Sequence, residues 1–112
     1  MTAHHGSCHC GAVTLELDAT PVEAGDCNCS LCRRVAALSH YCVPEEVRVT
    51  GDETGYVQGD CWLTTWRCSN CGSVTHWTAI DPGYRRVGIN LRMFEPALWL
   101  DLPRRHIDGA SY

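Results

Sequence analysis

The chain contains no lysine: all nine of its basic residues are arginines. Schiff-base chemistry through a lysine amine is therefore excluded. The cations that remain are forked guanidinium groups suited to paired recognition of carboxylates, although an arginine-rich genome composition explains the same bias. Long apolar runs are also missing. Nothing approaches the roughly 20 consecutive apolar residues of a membrane-spanning helix, and Met1 to Gly11 has no apolar run of the secretory kind. A cytoplasmic setting, in which thiols stay reduced, is the expectation. Repeats, low-complexity segments and linkers are absent too. The 112 residues are read as one domain, with a modest core over about residues 6–102. The net charge is −4, without a basic tail or stripe. That argues against a general nucleic-acid binder, and no membrane partner is indicated. The oligomeric state stays open.

What the chain does have is nine cysteines, which in a reducing compartment point to metal binding or thiol chemistry and not to a disulfide framework. Cys8-His9-Cys10-Gly11 and Cys68-Ser69-Asn70-Cys71-Gly72 share one design. Each short spacing lets a tight turn aim two sulfurs at one ion, and the glycine permits the positive φ that closes such a turn. Two such pairs, far apart in the chain, make a four-thiolate structural zinc site. The stretch Asp26 to Arg34 places Cys27, Cys29 and Cys32 within six residues, too crowded for ordinary disulfide pairing but suited to one ion. Three protein ligands and an open fourth position is the pattern of a catalytic zinc. The competing reading is a second closed site, with His40, His76, Cys42 or Cys61 as fourth ligand. More simply, the two cysteines are small buried hydrophobes in strands and the histidines are hydrogen-bonded or exposed. Iron is a further occupant to consider, since thiolates also hold iron–sulfur clusters.

The pattern along the chain is mostly β. Met1 to Ser7 is polar and reads as a frayed end. Ala12 to Asp18 alternates, with Val13, Leu15 and Leu17 on one face, as a half-buried strand does. Ser30 to Leu38 reads as a short helix capped by Ser30, its positive end towards the thiolates. Further strands are expected at His40–Val43, Val47–Thr50, Gly55–Gln58, Cys61–Arg67, Ser73–Ala79 and Tyr84–Leu91, with a last one at Ala97–Leu102. Turns fall at Gly51-Asp52, Gly59-Asp60 and Asp81-Pro82-Gly83.

Taken together, Gly6-Ser7-Cys8-His9-Cys10-Gly11-Ala12-Val13, Cys27-x-Cys29-Ser30-x-Cys32-Arg33-Arg34 and Cys68-x-x-Cys71-Gly72 resemble the glutathione-dependent formaldehyde-activating enzyme family, also called the Gfa or centromere protein V domain family. The resemblance implies a zinc-bound β-tent fold of small antiparallel sheets, here with one short helix. It implies a structural zinc on Cys8, Cys10, Cys68 and Cys71 and a catalytic zinc on Cys27, Cys29 and Cys32. The implied activity is that of a carbon–sulfur lyase, joining glutathione to formaldehyde or cleaving such an adduct. Asn28 stands where the family often has His, Ala37 where Gly is frequent, and Arg67 where an aromatic residue is usual. None of these removes a ligand.

The leading expectation is therefore a zinc-dependent enzyme with two zinc ions, acting on a small thiol such as glutathione. Arg33 and Arg34 would offer a cationic rim for its carboxylates, and His40 or His76 a proton relay. Trp62, Trp66 and Trp77 are read as core or sheet-face residues. The alternatives are a non-catalytic zinc-stabilised β module that binds a protein partner, and a thiol redox or metal-handling protein.

Overall fold

The computed structural model describes residues 4–59 and 61–111; Met1–Ala3, Asp60 and Tyr112 lie outside them, and with Asp60 half of the expected Gly59-Asp60 turn. Ten strands form among the described residues: β1 (His4–Ser7), β2 (Thr14–Leu17), β3 (Ala24–Cys27), β4 (Ser39–Cys42), β5 (Val47–Thr50), β6 (Glu53–Val57), β7 (Leu63–Cys68), β8 (Val74–Ala79), β9 (Val87–Asn90) and β10 (Arg104–Ile107). Two single α-helical turns, α1 (Cys32–Val35) and α2 (Pro96–Trp99), and three short 3-10 turns accompany them, so there are two short helices where one was expected. The fold is mostly β, as its alternation and turn spacing indicate.

Strands β1, β2 and β5 make a small antiparallel sheet, and the others a larger one in the order β10-β3-β4-β9-β8-β7-β6. All neighbours are antiparallel except β10 and β3, which run parallel with Ile107 opposite Cys27. The alternation expected in β2 is present: Val13, Leu15 and Leu17 are fully buried, while Glu16 points outward to Arg48 on β5. Leu15 and Leu17 pack with Ala24, Leu38, Cys42, Val87, Ile89, Leu91 and Phe94 into a core shared by both sheets. A second small cluster joins Val13 to Cys8 and Cys68.

Four local expectations are corrected. His4–Ser7 is not a frayed end; it pairs with Thr14–Leu17, because an edge strand needs backbone partners, not apolar side chains. Ala97–Leu102 is not a strand. Pro96 sets a helical φ at the first position of α2, and Leu100 N–H closes the turn on the Pro96 carbonyl at 2.8 Å. The helix after Ser30 is a single turn whose flanking residue is Leu31, without a side-chain cap. Finally, Cys61 is exposed and not buried, since it closes a turn onto the Gln58 carbonyl with φ of 59°.

Candidate metal centres and active site

The two knuckles fold alike although their spacings differ. In the first, Cys8 N–H donates to the Val13 carbonyl at 3.0 Å and Gly11 N–H to the Cys8 carbonyl at 3.2 Å. In the second, Cys68 N–H donates to the Ser73 carbonyl and Gly72 N–H to the Cys68 carbonyl, both at 3.0 Å. Gly11 and Gly72 have φ of 83° and 81°, the left-handed region that side chains resist. Each turn aims N–H groups at its first sulfur: Val13 N–H at Cys8 Sγ, and Asn70 and Cys71 N–H at Cys68 Sγ.

The four sulfurs lie within 4.8 Å of one another. Cys8 Sγ is 3.6 Å from Cys10 Sγ, and Cys10 Sγ 3.7 Å from Cys68 Sγ. Tetrahedral zinc with bonds of about 2.3 Å separates its sulfurs by about 3.8 Å, whereas a disulfide closes to about 2.05 Å. The donor set fits a metal ion. Asn70 and the Ala12 backbone hold the Cys10 thiol below its ordinary range, and hydrogen bonding from Ser73 brings Cys71 down to about 5. Cys71 is a ready thiolate at neutral pH. Cys8 and Cys68 are buried, and Cys10 and Cys71 face solvent.

The second group grows out of the end of β3. Cys27 is its last residue, Cys29 sits in the following bend, and Cys32 opens α1. Their sulfurs also lie within 4.8 Å of one another, and no fourth His, Cys, Asp or Glu joins them among the described residues. Cys32 N–H donates to Cys29 Sγ at 3.2 Å and Cys29 N–H to Cys27 Sγ at 3.5 Å. Burial pushes the Cys29 thiol up, but these amide and thiol hydrogen bonds outweigh it and the net shift is downward. Burial, reinforced by the neighbouring sulfurs of Cys29 and Cys27, drives Cys32 far up. Crowded thiols that cannot all ionise alone are a set a cation would stabilise.

A cavity of about 480 Å³ opens beside Cys27 and Cys32, within the range of small-molecule sites. Arg33, Arg92, Arg104 and His106 line it, with the carboxylates of Asp26 and Asp108. The arginine pair divides: Arg33 faces the cavity, while Arg34 donates back to the Ser30 carbonyl at 2.7 Å. Arg92 is anchored on the Ala36 carbonyl at 2.7 Å and lies over the Trp99 ring. Arg104 and His106 come from β10, which no sequence pattern announces. Neither His40 nor His76 lines this cavity. His40 borders a smaller one of about 210 Å³, and its buried Nε2 has no hydrogen-bond partner among the described residues. His76 is buried against Thr75. Trp66 and Trp77 are half-buried on β7 and β8, whereas Trp62 is 65% exposed.

Two cysteine groups that could hold metal ions, on a mostly β frame of two sheets, define the class: a cysteine-rich β domain with a ligand-sized cavity beside its second group. The glutathione-dependent formaldehyde-activating enzyme family model matches residues 3–102, and the chain belongs to that family. A crystal structure of a Rhodobacter sphaeroides protein has the same fold. Its TM-score is 0.73 and its identity 28%, over 90% of this chain and 99% of that one. No curated protein matches the chain. No helix of the described residues is long and apolar enough to cross a membrane.

Proposed function

We propose that this protein is a zinc-dependent carbon–sulfur lyase or synthase acting on the adduct of a small thiol, of the glutathione type, with an aldehyde such as formaldehyde. The structural zinc belongs to Cys8, Cys10, Cys68 and Cys71 and the catalytic one to Cys27, Cys29 and Cys32, in a cytoplasmic protein whose one domain spans residues 1–112. The observation that carries this reading is the three-sulfur group, which no fourth side-chain ligand joins among the described residues, beside a cavity of about 480 Å³. Zinc bound there supplies an open position and Lewis acidity towards a thiol sulfur or carbonyl oxygen.

The reaction itself is free of redox change. In the joining direction the thiol sulfur attacks the aldehyde carbon, a carbon–sulfur bond forms, and the carbonyl π bond opens. The thiol proton ends on the new hydroxyl. Cleavage runs the same steps backwards. The chain's own residues hold the substrate: Arg33, with Arg92 and Arg104, presents guanidinium groups to carboxylates, and Asp26 and Asp108 offer partners for an ammonium group. His106, the imidazole that lines the cavity among the described residues, is the group that would pass a proton to solvent. Arg34 serves α1 and contributes only general positive charge to the rim.

The test is metal content per chain by mass spectrometry on protein purified without chelator, wild type beside Cys29→Ser. The expected result is about two zinc ions in the wild type and about one in a still-folded variant that no longer turns over a glutathione–formaldehyde adduct. One zinc in both would overturn the catalytic reading in favour of a binding module or redox protein. Iron in place of zinc would overturn the mechanism.

A further inference from the structure

The second cysteine group is not open on all sides. After β10 the chain turns at Gly109–Ser111 and lies across the loop that carries Cys27, Cys29 and Cys32. Asn28, between the first two ligands, makes three bonds to it. Its backbone N–H donates to the Ile107 carbonyl at 3.0 Å, its Nδ2 donates to Asp108 Oδ1 at 3.0 Å, and its Oδ1 accepts from the Ala110 N–H at 3.0 Å. Asp108 uses its second oxygen to accept from Ser111 Oγ at 2.5 Å, which locks the turn. The result sets Gly109 against the sulfur: a Cβ on Gly109 would lie 2.6 Å from Cys27 Sγ and 3.1 Å from Cys29 Cβ. A side chain at this position would push on the Cys27 sulfur. Residues 104–111 also lie outside the stretch that the family model matches, 3–102.

We propose that this C-terminal turn, pinned by Asn28, is the positioning element of the three-thiol metal group. It presses on the Cys27 side of the group, so that this sulfur cannot swing away from Cys29 and Cys32 and the open position is left to the cavity. Asn28 and Gly109 are positioning residues; neither offers an atom to the metal. The geometry is that of outer-shell partners, which orient ligands and whose loss commonly costs about 10–100-fold in metal affinity. The same turn carries Asp108 onto the cavity wall, so the element that steadies the sulfur also shapes the space beside it. The inference rests on the reading that Cys27, Cys29 and Cys32 hold a metal.

The experiment is zinc competition against a chromogenic chelator, with the zinc of the four-cysteine group as internal control and thermal melting as the check on folding. Asn28→Ala is expected to weaken the second zinc by about 10–100-fold while the first stays bound. Asn28→Asp keeps an acceptor for Ala110 N–H but sets two carboxylates face to face, and is expected to weaken the second zinc similarly. Adding Asp108→Asn returns a donor to the pair and is expected to restore affinity to within about threefold. Wild-type affinity in folded Asn28→Ala, or no recovery in the double variant, overturns the positioning role while leaving the metal site standing. A wild type that binds only one zinc overturns both.

Discussion

At the scale of single residues, burial decides what an ionisable group can do. His76 is buried on β8, with Nδ1 2.9 Å from Thr75 Oγ1 and 3.6 Å from Glu53. The Thr75 hydroxyl gives its proton to Glu53, so the His76 ring supplies the hydrogen towards Oγ1; it is burial that disfavours a charge on the ring. Burial accordingly brings His76 down to about 4. A group depressed in the folded state contributes stability above its unfolded pKa, near 6.5, and loses it as pH falls towards the folded value. The wild type should therefore lose about 2 kcal/mol between about pH 7.5 and 5 through this residue. Glu53, itself pushed up by burial, works in the opposite direction. Melting temperatures of wild type and His76→Gln across that window check the sign: the advantage of the wild type should shrink as pH falls. An advantage that grows would contradict the neutral assignment. The sequence shows a histidine next to a threonine here, but not that the pair is sealed under Glu53.

At the scale of elements, α1 is only one turn long, so its hydrogen bonds matter more than any macrodipole. It ends where Ala36 N–H bonds to the Cys32 carbonyl at 2.9 Å, with Ala36 at φ 56° and ψ 35°. That left-handed cap favours glycine over alanine by about 1 kcal/mol. Ala36→Gly is expected to raise the unfolding free energy by about 0.5–1 kcal/mol, less a part lost to the greater freedom of the unfolded chain, without disturbing zinc content. Denaturant titration measures it, and a destabilised variant would mean that the Ala36 methyl packs more usefully than its strain costs. The cap was not legible in Arg33-Arg34-Val35-Ala36-Ala37, because alanine is a helix former and nothing in its type announces a stop. Strand β5, by contrast, was legible to the residue: Pro44-Glu45-Glu46 before it and Gly51-Asp52 after it are local signals.

At the scale of the whole molecule, the four-cysteine group is a tie between sheets. Cys8 and Cys10 sit in the turn between β1 and β2, Cys68 ends β7, and Cys71 sits in the turn that leads to β8. Binding one ion therefore clamps the three-stranded sheet to the seven-stranded one. Structural zinc contributes on the order of 10–16 kcal/mol in small domains, comparable with or above the roughly 5–15 kcal/mol that holds a typical domain together. A strong chelator, or Cys68→Ser, should abolish the cooperative melting transition. Cys29→Ser should keep it, with a melting shift of a few degrees at most. Circular dichroism on heating separates the two, and a cooperative melt in zinc-free protein would show that the shared apolar core suffices alone.

The knuckles, the crowded three-thiol run and the alternation of β2 were determined by the sequence itself. Each is a local geometry: ligands two or three residues apart, a glycine at a positive φ, apolar side chains every second position. The cavity was decided only by the tertiary structure. Arg33 is sequence-adjacent to Cys32, but Arg92, Arg104 and His106 reach the same wall from more than 55 positions away, and β10 meets β3 through a parallel pairing that no local period encodes. The fates of Cys42 and Cys61 divide for the same reason. Both sit in short apolar stretches, yet one faces the core beside Val87 and Ile89 while the other closes an exposed turn. Local spacing is written in the chain, whereas burial and convergence depend on which distant backbone arrives alongside.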